Sequence, residues 1–261
     1  MVGEIEVWIA ACLALFLLTA CSSGGQTPAP PVQPITRPGA QAFALDLTQS
    51  TLGLGLSING DVPPVVDLPE QYAFGTFPGP AVDGQNCADP SPCYSIENGV
   101  LKIRSPGGGW PIITRQTFAG PQSHRLVAGA ECIAVTCWGG LVVYNGDALQ
   151  PVPADQQAAF ERMWDTGEWM GLYFSHADNG VHIGVWSPSQ AHLIPGMVFP
   201  AGHLVDLRID YDGRWAFFVN GQAVAIEQTP DFPTLGNDPH AALFMGDLNM
   251  SVSAWDVWVG P

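Results

Sequence analysis

The chain has 261 residues, 47% apolar and only 12% charged, with 30 Gly, 24 Pro, 9 Trp and 12 Phe. Its 8 Lys and Arg exclude long helices built on Ala, Glu, Lys and Leu, and its aromatics exclude disorder throughout. The 24 acids bring the net charge to −16 and the isoelectric point to about 4.3, which excludes nucleic acid and a polybasic membrane patch as partners.

Residues 7–18 are apolar and uncharged, and the chain then reads Leu18-Thr19-Ala20-Cys21-Ser22-Ser23. A run of about 12 apolar residues is short for a membrane span and suits the core of a signal peptide. Leu18-Thr19-Ala20-Cys21 resembles the lipobox of bacterial lipoproteins, although Glu4 and Glu6 stand where that family carries positive charge. The resemblance implies a signal peptide over residues 1–20, diacylglycerol on the Cys21 thiol, and an exported protein held at the bacterial cell envelope by its lipid. Residues 21–40 are rich in proline, glycine and small polar groups (Pro28, Pro30, Pro31, Pro34, Pro38) and read as a semi-extended tether. Without Glu4 and Glu6 the mature chain keeps 22 acids and 8 bases, a net −14. One folded domain over residues 41–261 is expected, because many turns beside many aromatics indicate a β-sandwich or barrel.

Four cysteines lie in that domain: Cys87, Cys93, Cys132 and Cys137. They allow three pairings, of which local closure, Cys87 with Cys93 and Cys132 with Cys137, is the simplest. Spacings of five and four intervening residues match zinc knuckles poorly. Ile96-Glu97-Asn98-Gly99-Val100-Leu101-Lys102-Ile103 reads as a hairpin around Asn-Gly, followed by an apolar strand at Ile112-Ile113-Thr114-Arg115 and then Phe118. Gly107-Gly108-Gly109 precedes Trp-Pro and is a loop rather than a phosphate cradle. Gln122-Ser123-His124 puts a hydroxyl beside an imidazole without an orienting carboxylate. Residues 154–164 are the one helical candidate.

The next elements are strands. Residues 169–174 and 181–186 flank a turn at Asp178-Asn179-Gly180, with His176 and His182 placed to face each other across it. Residues 204–211 alternate, Val205, Leu207, Ile209 and Tyr211 on one face and Asp206, Arg208 and Asp210 on the other. Asp212-Gly213 and Asn220-Gly221 then make two-residue turns around a strand at 214–219, and a last strand at 251–259 puts Trp255, Val257 and Val259 on one face.

That ending resembles concanavalin A-like jelly rolls, the all-β sandwich of two antiparallel sheets shared by laminin G-like modules and family-16 glycoside hydrolases. The resemblance implies the fold and not one function, since many unrelated activities sit on this sandwich. The family-16 enzymes take their carboxylates from one strand as E-x-D-x-(x)-E, a motif this chain lacks. Its nearest acidic group is Glu161, Asp165 and Glu168, where 161 and 165 share a strand face and 168 does not. The basic and Tyr/His cluster of polysaccharide lyases is not assembled either. In the same enzymes an Asp on the last strand and a backbone carbonyl of the early Asn-Gly turn bind calcium. The matching positions here are Asp256 and Gly99, so a structural Ca²⁺ is the one cofactor implied.

Sugars stack their apolar faces on Trp and Tyr and give their hydroxyls to polar neighbours. Trp169 and Tyr173 share a face of one strand, and His182 and Trp186 share a face of the next. If those faces coincide they form a saccharide platform, whereas Trp138, Trp215, Trp255 and Trp258 read as packing residues. The expectation is therefore a glycan-binding or adhesion lipoprotein. The alternatives are a glycosidase or lyase with a degenerate motif, and a structural envelope lipoprotein.

Overall fold

Turns containing glycine divide the apolar sequence into strands, and their backbone explains where each strand stops. The computed structural model describes residues 40–45, 72–74, 93–106, 110–114, 117–145, 168–189, 191–226, 232–236 and 239–260. The leader, Cys21, nearly all of the tether, Cys87, Gly107-Gly108-Gly109, Arg115, the helical candidate at 154–164, Glu161 and Asp165 lie outside them.

The described strands are β1 (Ala40–Ala44), β2 (Tyr72–Phe74), β3 (Cys93–Glu97), β4 (Val100–Ser105), β5 (Trp110–Thr114), β6 (Gln122–Cys132), β7 (Trp138–Asn145) and β8 (Trp169–Ala177). There follow β9 (Gly180–Trp186), β10 (Ala191–Phe199), β11 (Leu204–Tyr211), β12 (Trp215–Val219), β13 (Gln222–Val224), β14 (Pro239–Gly246) and β15 (Leu248–Val259). They form two sheets. One has the order β13-β12-β11-β6-β15-β4-β3, with β1 also paired to β15, and the other β10-β9-β8-β7-β14-β5-β2. Every strand pairing among the described residues is antiparallel.

Asn98-Gly99 and Asn220-Gly221 are two-residue hairpin loops, and both residues of each adopt positive φ (52° and 75°, 50° and 75°). That is the mirror-image turn whose twist matches the strands, and Asn and Gly tolerate it best. Asp212-Gly213 departs from expectation. Tyr211 pairs with Trp215, so the connection has three residues, and the Asp212 carboxylate accepts the Arg214 N–H at 3.3 Å. An Asp side chain that captures the backbone two residues on extends the turn by one.

The sandwich core follows from alternation. Leu126, Ala128 and Ala130 of β6, Val205, Leu207 and Ile209 of β11, and Trp255 and Val257 of β15 meet Leu141 and Val143 of β7, Leu172 and Phe174 of β8, Ile183 and Val185 of β9, and Leu243 and Met245 of β14. Each such buried side chain stabilises the fold by roughly 1.5–3 kcal/mol before entropy is counted. Trp215 and Trp255 lie in this core as expected, whereas Trp258 sits half-buried in register with Ser123 and Gln41, on the sheet's other face. β15 itself changes parity. Leu248, Met250 and Val252 are buried, then Trp255 and Val257, and a bulge between Val252 and Ala254 absorbs the extra residue. The Ser253 hydroxyl donates to the Val127 carbonyl at 3.2 Å across it.

On the outer face of the first sheet the charges pair among themselves. Arg125 forks onto Asp206 (2.8 and 3.0 Å) and reaches Asp256 at 3.6 Å. The hydrogen bond that Arg125 donates to Asp206 raises its pKa above the usual value, against the opposing effect of burial. Arg208 lies 3.9 Å over the Phe218 ring and 3.3 Å from Asp210. Ser123 belongs to this outer face and His124 to the inner one, so the two do not meet as nucleophile and base. Gln122 donates its amide to the carbonyls of Phe118 and Gly120, leaving its oxygen, 2.6 Å from His124 Nε2, to accept that N–H. The assigned tautomer thus carries the proton on Nε2.

Candidate functional site

The register of β7, β8 and β9 decides which side chains meet on the outer face of the seven-stranded sheet. Gly171 opposes Trp186, Tyr173 opposes Gly184, and Ser175 opposes His182. On the other side of β8, Trp169 opposes Tyr144, Gly171 opposes Val142, Tyr173 opposes Gly140, and Ser175 opposes Trp138. Alternation therefore brings Trp169, Tyr173, His182 and Trp186 onto one face, joined by Trp138 and Ser175. His176 opposes Val181, so it projects from the other face; the two histidines do not face each other.

Trp186 is the centre of this face. Its ring lies 5.1 Å from Trp169 (85° between planes), 5.2 Å from Trp138 (73°) and 5.5 Å from Tyr173 (47°). Edge-to-face contacts of this kind are each worth about 0.5–1.5 kcal/mol beyond the area they bury. Glycines make room for the rings. A Cβ on Gly184 would stand 2.4 Å from the Tyr173 ring, and one on Gly171 would stand 2.8 Å from the Val142 side chain. With hydrogen at position 184 the Tyr173 ring can lie across β9.

The four expected platform residues have unequal exposure. Trp169 is 0% exposed and packs with Val142, Tyr144, Ala242 and Phe244 in a second apolar cluster, so it supports Trp186 edge-on and offers no ring to a ligand. Tyr173 is 8% exposed, and burial raises its phenol pKa, keeping the hydroxyl a donor at neutral pH. Trp186, His182, Ser175 and Trp138 are half-buried. Next to them the edge strand β10 places Ala191 opposite Trp186, Leu193 opposite Gly184 and Val198 opposite His182, all three exposed. The accessible part of the face thus runs across β8, β9 and β10, with an indole at its centre, an imidazole and two hydroxyls beside it, and an aliphatic rim.

Trp138 packs, as the sequence reading expected, but it does so on the outer face, against Trp186 and the second apolar cluster. In Trp138-Gly139-Gly140-Leu141-Val142-Val143-Tyr144 both faces are apolar, so alternation alone could not say which side meets the core. Its pairing with Ser175 supplies the answer.

No protein-family model matches the sequence. No curated protein matches it either. Solved structures do match, one of them from work on endo-acting O-glycanases by which prominent members of the human gut microbiota initiate mucin breakdown. It aligns with a TM-score of 0.54 at 10% identity, over 85% of this chain and 100% of that one. The catalytic domain of an endo-1,3-β-glucanase (laminarinase) from Thermotoga petrophila RKU-1 aligns with a TM-score of 0.53 at 12% identity, over 86% and 99%. A family-16 glycosyl hydrolase from Mycobacterium smegmatis aligns with a TM-score of 0.49 at 11% identity, over 84% and 100%. The fold is a concanavalin A-like jelly roll.

On this jelly roll β8 carries Trp169, Gly171 and Tyr173 at its alternate outer positions, and none of the three is a carboxylate. Of the acidic trio, Glu168 precedes β8 and accepts hydrogen bonds at the far end of β7: its side chain from Asn145 Nδ2 at 2.5 Å and its carbonyl from the Asn145 N–H at 2.9 Å. That pairing ties Glu168 to the end of β7. Gly99 lies in the β3–β4 turn and Asp256 on β15, but the residues present do not fit a calcium ion. The Asp256 carboxylate faces the Arg125 guanidinium at 3.6 Å and accepts from Gln41 Nε2 at 3.2 Å, and a cation would have to displace both. No group of three or more His, Cys, Asp or Glu able to hold a metal occurs among the described residues. Cys132 and Cys137 are bonded to each other with 5.4 Å between Cα atoms, the local pairing that was the simplest. Cys93 opens β3.

Proposed function

We propose that the jelly roll is a saccharide-binding domain whose site is the outer face of the seven-stranded sheet around Trp186, and that it binds its ligand without cleaving it. The observation that carries this is the Trp186 indole, half-buried and held by three other rings within 5.1–5.5 Å. A stacking residue loses little freedom on binding when its plane is already set. His182, Ser175 and the Tyr173 hydroxyl stand where the ring hydroxyls of a stacked pyranose would reach. The net charge of −16 disfavours polyanions, so neutral glycans are the preferred class. The likeness to a laminarinase fold makes β-1,3-glucan a natural first probe.

We infer further that the protein is exported and tethered to the bacterial envelope through Cys21; the lipobox-like sequence and the proline-rich segment after it support this. A glycan array probed with the purified protein tests the binding reading. Retention of neutral glycans, lost in Trp186→Ala, is expected; no retained glycan would overturn it. Release of reducing ends from a retained glycan, abolished by substituting Glu161, Asp165 or Glu168, would replace it with the hydrolase reading.

A further inference from the structure

Trp138 follows Cys137 directly and is the first residue of β7. The Cys137 side chain is buried in the core, so alternation turns Trp138 to the outer face. Strand ends fray unless something ties them down. Here the five-residue connection from Ile133 to Cys137 is tied at several points. The Cys132–Cys137 bond closes it, and the Cys137 N–H donates to the Ala134 carbonyl at 3.2 Å. The Ile133 N–H donates to the Asp247 carbonyl at 2.8 Å, and the Thr136 hydroxyl donates to the Asp247 carboxylate at 3.4 Å. Asp247 is itself fixed with φ 52° between β14 and β15, next to Gly246, which pairs with Trp138.

Within the connection only Cys137 is buried in the core. Ile133 and Val135 are exposed, Val135 by 75%, so the bond does not serve to bury them. What it does control is the start of β7, and with it the indole lying 5.2 Å from Trp186. Removing that edge contact would free Trp186 on one side and let its ring rotate.

We propose that the Cys132–Cys137 disulfide is a positioning element of the saccharide face. It holds Trp138 edge-on against Trp186 and so sets the plane on which a sugar stacks. This rests on the saccharide-binding reading. Without the bond the ligand must order Trp186 itself, which raises the dissociation constant roughly three- to tenfold.

The test compares the oxidised protein with Cys132→Ala/Cys137→Val, which keeps apolar volume at both positions, and with Trp138→Phe. Circular dichroism reads the exciton couplet of the Trp138–Trp186 pair as the part of the signal that Trp138→Phe removes. Affinity electrophoresis in laminarin reads binding. The double variant is expected to melt cooperatively, to lose the same couplet as Trp138→Phe, and to bind laminarin more weakly by the factor above. A full couplet in the double variant overturns the proposal, as does a lost couplet with unchanged affinity. Should the double variant fail to fold, Cys132→Ala alone, which leaves the Cys137 thiol in the core, is measured in the same way. If that also fails to fold, the bond serves the whole domain and the proposal is overturned. A wild-type protein that binds no glycan overturns the saccharide reading instead, and the couplet still reports separately whether the bond holds Trp138.

Discussion

Trp186 and Trp169 touch each other but differ in exposure, and substitution separates their roles. Trp186 is half-buried, so its replacement by Ala removes about half of the packing that a fully buried Trp contributes, roughly 2 kcal/mol. In a domain of this size that lowers the melting temperature by roughly 4–8 °C. We expect Trp186→Ala to stay folded and lose glycan binding. Trp169→Ala, at a site with no solvent exposure, should cost about 3–5 kcal/mol and lower affinity only through the disordered support. Differential scanning calorimetry with glycan titration distinguishes the two; equal melting temperatures for both variants would contradict the assignment. His124 is the other residue with a clear signature. Burial lowers its pKa from 6.5 to about 3. Its stabilising effect is fully present above the unfolded value. As the pH falls through this window the unfolded chain takes up a proton that the folded chain refuses, and stability drops. The full slope is about 1.4 kcal/mol per pH unit. Urea denaturation from about pH 7 down to about pH 5, before most carboxylates titrate, should show the dependence steepening toward that slope as the pH drops below 6.5, and His124→Gln should flatten it. A wild-type profile that is flat over this range would refute it.

Among the elements, β15 has its parity reset by a single extra residue. Its buried positions are even-numbered up to Val252 and odd-numbered from Trp255, and the bulge at Ser253 joins the two registers. Val252 and Ala254 already pair with the consecutive residues Ala128 and Val127, so deleting Ser253 removes the bulge and leaves Val252, Trp255 and Val257 facing the core. The loss is confined to the Ser253 hydroxyl's bond to the Val127 carbonyl, about 1 kcal/mol. The deletion variant should therefore keep a cooperative thermal melt within a few degrees of the parent, as followed by near-ultraviolet circular dichroism. Loss of cooperative unfolding would contradict this register. The hairpins, by contrast, were legible from short motifs, since Asn98-Gly99 and Asn220-Gly221 demand positive φ that those residues supply. Asp212-Gly213 was not fully legible, because its side-chain capture of the Arg214 N–H added a residue to the loop.

For the whole molecule, the acidic charge and the Cys21 sequence lead to predictions that do not depend on the glycan. Cys21→Ser should move the protein from the membrane fraction to the soluble fraction or leave an unprocessed precursor, seen by fractionation and mass spectrometry. Unchanged partitioning with normal processing would argue against a lipid anchor. Because Asp256 is paired with Arg125 and Gln41, chelation should leave the melting temperature unchanged. A fall with EDTA that Ca²⁺ restores would show that a cation displaces Arg125.

The sequence by itself determined the class of fold, the hairpins around Asn-Gly and the inward faces of β11 and of the end of β15. Those features are local: alternation has a period of two residues, and a turn is set by the φ of two or three neighbours. It also put Trp169 with Tyr173 and His182 with Trp186 in pairs. Only the tertiary structure decided that the pairs share a face, that Trp138 joins them, and that Trp169 lies beneath the surface. It also decided that His176 and His182 point apart and that Arg125 holds Asp256. The physical reason is register. Residues on strands with apolar groups on both sides carry no local mark of which face meets the core, and pairing across strands fixes that only once the whole sheet is assembled.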